Sequence, residues 1–104
     1  MAIARINAGV CGYHTTVKAQ AKENYLVALE IESQCEAIQR LAGHLIEVNA
    51  LNEISFRRGS PEILAKGAQY CTHASCPVPV GIIKTVEVAA GLALPQIAKI
   101  EVEE

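Results

Sequence analysis

Three observations predict a two-layer α+β domain. Apolar and polar residues alternate over the first third of the chain, apolar residues recur at helical spacing through the middle, and alternation returns at the C-terminus. The elements read in the order βββαααβ, a small, mainly antiparallel sheet with helices on one face. At 104 residues the chain is expected to fold as a single domain over 1–104, long enough for one real core.

The first strand is read over Ala2 to Asn7, where Ala2, Ala4 and Ile6 alternate with Ile3, Arg5 and Asn7. Gly9-Val10-Cys11-Gly12 then sets a cysteine between two glycines that free the backbone for a tight loop. Thr15 to Ala21 and Tyr25 to Glu32 alternate again around the polar turn Lys22-Glu23-Asn24, which predicts an antiparallel hairpin. Ser33-Gln34-Cys35-Glu36 matches a capping box. It opens a helix with Ile38, Leu41, Leu45 and Val48 on its apolar face, stopping near Asn49 or Asn52. Residues Ala50 to Gly59 carry no clear period. Ser60-Pro61 starts a second helix, Ser as N-cap and Pro at the first helical position, ending near Tyr70. Val80 to Ala90 forms the third, with Gly91 as its C′ residue and Pro95 blocking continuation. Ala98, Ile100 and Val102 alternate with Lys99, Glu101 and Glu103 in an expected closing strand.

Composition narrows the function classes. The chain is 51% hydrophobic, 19% charged and 4% aromatic, with no Trp, so its core is aliphatic. A net charge of −2 and a pI near 5.9 give no field for nucleic acid or an anionic membrane. No apolar run approaches the roughly 20 residues of a membrane span, and Arg5 interrupts any signal-peptide plan. The expectation is a cytoplasmic protein with no nucleic-acid or membrane partner. In that reducing setting its four cysteines are expected to be free, metal-bound or catalytic rather than paired in structural disulfides. No Walker loop, Gly-x-Gly-x-x-Gly fingerprint, serine-nucleophile elbow or His-Glu-x-x-His motif is present.

The chemistry concentrates in Cys71-Thr-His-Ala-Ser-Cys-Pro-Val-Pro79, which combines soft ligands, a stiffened backbone and a following helix. The hairpin brings Cys11, just before the second strand, to the end where Cys35 follows the third. Cys35 is expected at the second position of its helix, and Cys76 just before the third helix. The sequence does not itself place the Cys71–Cys76 loop at that end. If it lies there, Cys11, Cys35, Cys71 and Cys76 form a four-cysteine site for zinc or an iron–sulfur cluster, with His14 and His73 as additional ligands. His44, in a helical row with Leu41 and Val48, reads as a structural residue, and Arg57-Arg58 as a solvated pair.

The runs VCGYHTTVKA, IESQCEAIQRLAGHL and CTHASCPVPVGIIKTVEVAAGLALP resemble a small uncharacterised family of anaerobic bacteria and archaea, a domain of unknown function. The likeness spans nearly the whole chain, and an anaerobic setting suits an oxygen-sensitive cluster. A weaker likeness is to the NifU-type iron–sulfur scaffold domain. There a paired-cysteine loop ending in Cys-Pro precedes a helix and a closing strand, as Cys76-Pro77, the helix from Val80 and Ile97 to Val102 do here. That scaffold has two residues between its cysteines where this chain has four. The resemblance implies a metal role in kind.

The leading expectation is therefore a small metal-site protein, structural, electron-transferring or cluster-carrying, with a redox or cluster-receiving protein as partner. Whether it is an enzyme is left open. The alternatives are a metal-free thiol module, with Cys76 or Cys35 as nucleophile and His73 or His14 as base, and an interaction module whose cysteines are structural. Two open sheet edges favour a homodimer by strand addition.

Overall fold

Alternation and the polar turn pair the first strands as expected. In a computed structural model describing residues 1–104, β1 (Ala2–Asn7), β2 (His14–Ala21) and β3 (Leu26–Ser33) form consecutive antiparallel neighbours. Val17 faces Ile31 and Ala19 faces Leu29 across the β2–β3 ladder. Val17, Ala19, Val27 and Leu29 are buried on one side of the sheet, while Lys18 and Glu30 stand opposite each other on the other face. The connecting turn is one 3₁₀ turn over Glu23–Tyr25, with left-handed φ values of 58° at Asn24 and 63° at Tyr25. Asn tolerates that region; Tyr is strained there.

The middle of the chain departs from the expected long helix. The helix α1 spans only Glu36–Ala42 and stops at Gly43. Leu45 and Val48 are still buried, but they lie beyond the helix, and Glu47–Asn49 is a short fourth strand, β4, paired antiparallel with Leu26–Ala28. Apolar residues four and seven positions after Leu41 fit a helix face. They are reused here because the chain turns at Gly43 and keeps them in the same core. Asn49 is a start rather than a stop: its Oδ1 accepts the Leu51 N–H at 2.9 Å and caps α2 (Ala50–Glu53).

Both predicted helix caps also change. Cys35, not Ser33, is the N-cap of α1, its carbonyl accepting the Gln39 N–H at 2.9 Å. Cys35 therefore precedes the helix instead of occupying its second position. The Ser33 hydroxyl is engaged with Thr15 Oγ1 at 2.8 Å and accepts the Cys35 N–H at 3.1 Å. Helix α3 runs Glu62–Tyr70 with Pro61 at its cap position and no bond from Ser60. The capping group is remote: Glu53, only 2% exposed, accepts the N–H of Glu62 at 3.1 Å and of Ile63 at 2.7 Å.

Helix α4 spans Val78–Ala89, and Gly91 (φ 75°) closes it. The Leu92 N–H bonds the Glu87 carbonyl and the Gly91 N–H that of Val88, a Schellman closure. α4 packs on β1 and β2, α1 on β3 and on α3, so the helices cover one face of the four-stranded sheet. The expected closing strand does not form. Residues beyond Leu94 have no regular structure and are exposed, and the element order becomes βββαβααα.

Candidate thiol site at one end of the sheet

One row of residues across the sheet fixes the site. Ile6 on β1 faces Thr15 on β2, and Thr15 faces Ser33 on β3. At the Ser33 end of the row, the serine hydroxyl holds the Cys35 N–H. At the other end, Ile6 lies against Gly81 in the first turns of α4, so closely that a Cβ on Gly81 would overlap its side chain. α3 joins the same end through Gly67, where an added Cβ would sit 2.8 Å from the Pro79 ring. The start of α1, the end of α3 and the start of α4 thus meet around the mouth of the β1–β2 loop.

Each of these junctions carries a cysteine. Cys35 caps α1, Cys71 follows Tyr70 at the end of α3 with its N–H on the Gly67 carbonyl at 2.8 Å, and Cys76 precedes Pro77 and α4. All three are free thiols, half-buried and packed against the hydrophobic core. The Cys76 N–H donates to the His73 carbonyl at 3.2 Å, curling the loop so that Cys76 returns beside Cys71. Burial pushes the Cys71 thiol up to about 11; the charge of Cys76, a hydrogen bond with Cys76 and the charge of Cys35 add to it in that order. Cys71 thus lies among neighbouring thiols that disfavour its own thiolate.

The remaining candidates lie around it. Cys11 is exposed in the β1–β2 loop, at the correct end of the sheet but outside the group that acts on Cys71. Gly9 and Gly12 adopt φ values of 90° and 73° that favour glycine, and the loop is tied by Gly12 N–H to Gly9 carbonyl at 2.9 Å. His14 is exposed and exchanges two bonds with Gln34, the neighbour of Cys35: its N–H to Gln34 Oε1 at 3.0 Å, and the Gln34 N–H to its carbonyl at 3.3 Å. His73 is exposed at the tip of the cysteine loop. No three His, Cys, Asp or Glu side chains are gathered into a group that could hold a metal ion as the chain stands. Cys71 has Cys76 within hydrogen-bond reach and Cys35 near enough to act on its charge, while Cys11, His14 and His73 are exposed.

Two residues of this region were not singled out as such from the sequence. Tyr70 stacks on His44, ring centroids 4.6 Å apart and 11° from parallel, which makes His44 an exposed support for the end of α3. Glu53 anchors the start of α3 from the stretch without period. Its partners lie nine and ten residues on, outside the range of any local capping signal.

No helix is long and apolar enough to cross a membrane. No curated protein and no solved structure matches the chain, and the NifU-type likeness therefore gains no structural counterpart. A family model does match, over residues 2–102: the chain belongs to the family of unknown function DUF6951.

Proposed function

We propose that this family member is a small soft-metal protein that binds zinc or an iron–sulfur cluster through Cys35, Cys71, Cys76 and Cys11. One observation supports the reading: half-buried Cys71 has Cys76 within hydrogen-bond reach and Cys35 near enough to act on its charge, the three coming from three separate helix junctions. Burial, with Cys76 and Cys35 adding to it, holds the proton on Cys71 in the metal-free chain. A cation reverses that balance, because it replaces the protons and turns the neighbouring thiolates from a cost into ligands. Four thiolates suit tetrahedral zinc or a cluster, both of which take soft sulfur donors.

Metal binding is then coupled to closure. Cys11 swings inward on its two-glycine loop, and the rim histidines His14 and His73 stand as nitrogen ligands where a fourth sulfur does not reach. Such a site fits a reducing compartment such as the cytoplasm and a structural, redox or cluster-carrying role, with a protein as the receiving partner. The acidic chain offers nothing for nucleic acid.

The test is metal analysis of protein purified without oxygen, and again after reconstitution with ferrous iron and sulfide or with zinc. The expected result is stoichiometric metal in the wild type and little in Cys71→Ala/Cys76→Ala. Metal-free wild type under every condition overturns the reading.

A second reading rests on the closeness of Cys71 to Cys76. In a metal-free dithiol module the Cys76 thiolate attacks an external disulfide and Cys71 resolves the mixed disulfide. Both thiols are oxidised, and the acceptor disulfide is reduced to two thiols. Incubation of metal-free protein with excess glutathione disulfide then gives a mass loss of two hydrogen atoms per chain, mapped to a Cys71–Cys76 peptide. A stable glutathione adduct without that loss counts against it.

A further inference from the structure

The C-terminal segment has the pattern of a strand but no sheet. Ala98, Ile100 and Val102 alternate with Lys99, Glu101 and Glu103, yet no residue after Leu92 enters a backbone hydrogen bond of the fold. Its aliphatic residues are bare: Leu94 and Val102 are 89% exposed, and Ile97 and Ile100 are 85% exposed. The only polar contacts made there are internal, the Lys99–Glu101 ion pair and a bond from the Ile97 N–H to Gln96 Oε1. A solvated linker has no need of aliphatic side chains at every second position.

A matching vacancy in the hydrogen bonding lies on the sheet. The strand order β1-β2-β3-β4 leaves β1 as an edge, six residues long, the same length as Ile97 to Val102. On the helix-covered side of β1, Ala4 and Ile6 are only partly buried although they touch the core. On its open side stand Ile3, 48% exposed, and Arg5, also exposed. A strand added there in phase sets Ala98, Ile100 and Val102 against Ala4 and Ile6. It also sets Glu101 or Glu103 beside Arg5 and leaves Lys99 in solvent. Polarity, length and charge agree on both faces.

The geometry points to exchange between two copies of this chain: we propose that Ile97–Val102 of one protomer pairs with the β1 edge of a second, and reciprocally. The alternative, folding back on its own edge, is disfavoured by the exit of the chain. Gly91 closes α4, Pro95 stiffens the next step, and the protein extends 43 Å along one axis against 26 Å along the others. The segment leaves along α4, with Gln96, Ile97 and Ala98 beside Lys84, Glu87 and Val88, and reaches no strand of its own sheet. Exchange of this kind gives a closed two-fold dimer and removes an exposed edge from each subunit. It needs no metal and uses none of the cysteines.

The experiment is light scattering on the size-separated full chain, with amide hydrogen exchange on the same sample, for the wild type and for Ile100→Lys/Val102→Lys. Both substituted side chains are bare in the protomer, so the body of the variant folds as before. A dimer with slow exchange at Lys99–Val102 and along β1, converted to a monomer with fast exchange at both by the substitutions, is the expected result. A monomer with a protected tail assigns the segment to its own edge and overturns the proposal. A monomer with an unprotected tail does the same, and so does a dimer that the substitutions leave intact.

Discussion

At the residue scale the least expected finding is Glu53. A carboxylate 2% exposed holds two N–H groups of a helix that begins nine residues later. Glu53→Ala strands both donors in a buried place and is expected to cost about 2–3 kcal/mol, read by denaturant unfolding. Burial raises the pKa of Glu53, and outweighs the two backbone bonds that lower it. A raised folded pKa means the folded state holds the proton more tightly. The contribution of Glu53 to stability is therefore full below its unfolded value of 4.5, and it falls as pH rises from there through the folded value. Glu53→Gln carries no such charge. Its stability relative to wild type should rise across that window, and a gap that stays flat with pH contradicts the assignment.

The thiols give a second residue-level prediction. Cys11 is exposed, while Cys71 is half-buried with its thiol pushed up to about 11. Brief alkylation of the metal-free protein with iodoacetamide, mapped by mass spectrometry, should label Cys11 first and Cys71 last, since the thiolate is the reacting form. Equal labelling of the four would show that the cluster does not persist in solution.

At the element scale, the junction of α3 and α4 decides where Cys71 and Cys76 lie. Gly67 accepts the Pro79 ring, and a Cβ there would stand 2.8 Å from it. The ring cannot rotate away, so Gly67→Ala is expected to cost about 1–3 kcal/mol. It should also quicken alkylation of Cys71. Gly81→Ala meets the tip of the Ile6 side chain, which can turn aside, and should cost less. Thermal unfolding ranks the two, and the reverse order would contradict the packing described here.

The same scale shows what a linear reading can hold. β1 to β3 and the ends of α3 and α4 were legible because alternation, helical period, Pro and Gly act locally. The helix expected through Val48 was not. Leu45 and Val48 are core residues in either conformation, and apolar spacing alone cannot distinguish a helix from a helix stop followed by a strand. The remote cap from Glu53 was illegible for a different reason: its hydrogen bonds depend on tertiary placement. The closing strand shows a third case. Its alternation is real, but it pairs with no strand of the same chain.

At the scale of the whole molecule, the sheet row Ile6–Thr15–Ser33 ties the two cysteine regions together. The β2–β3 hairpin alone puts Cys11 and Cys35 at one end; the packing of α4 on β1 brings the Cys71–Cys76 loop toward it. Of the four cysteines, Cys11 alone is exposed, in a loop outside the group that acts on Cys71. Binding to the folded chain and not to the unfolded one should stabilise it, by about 2.7 kcal/mol at a free metal concentration one hundred times Kd. Chelation should return the melting temperature to that of the metal-free protein.

Cobalt(II) titration of the reduced protein without oxygen tests the central claim most directly, because its absorption reports both tetrahedral geometry and thiolate ligation in place of zinc. The account predicts saturation at one equivalent, with thiolate charge-transfer and tetrahedral ligand-field bands that zinc displaces. Cys35→Ser, Cys71→Ser and Cys76→Ser should each weaken the bands sharply, and Cys11→Ser should change them by the loss of one sulfur. Absence of thiolate bands in the wild type, or bands that persist in the Cys71→Ser/Cys76→Ser variant, would contradict it.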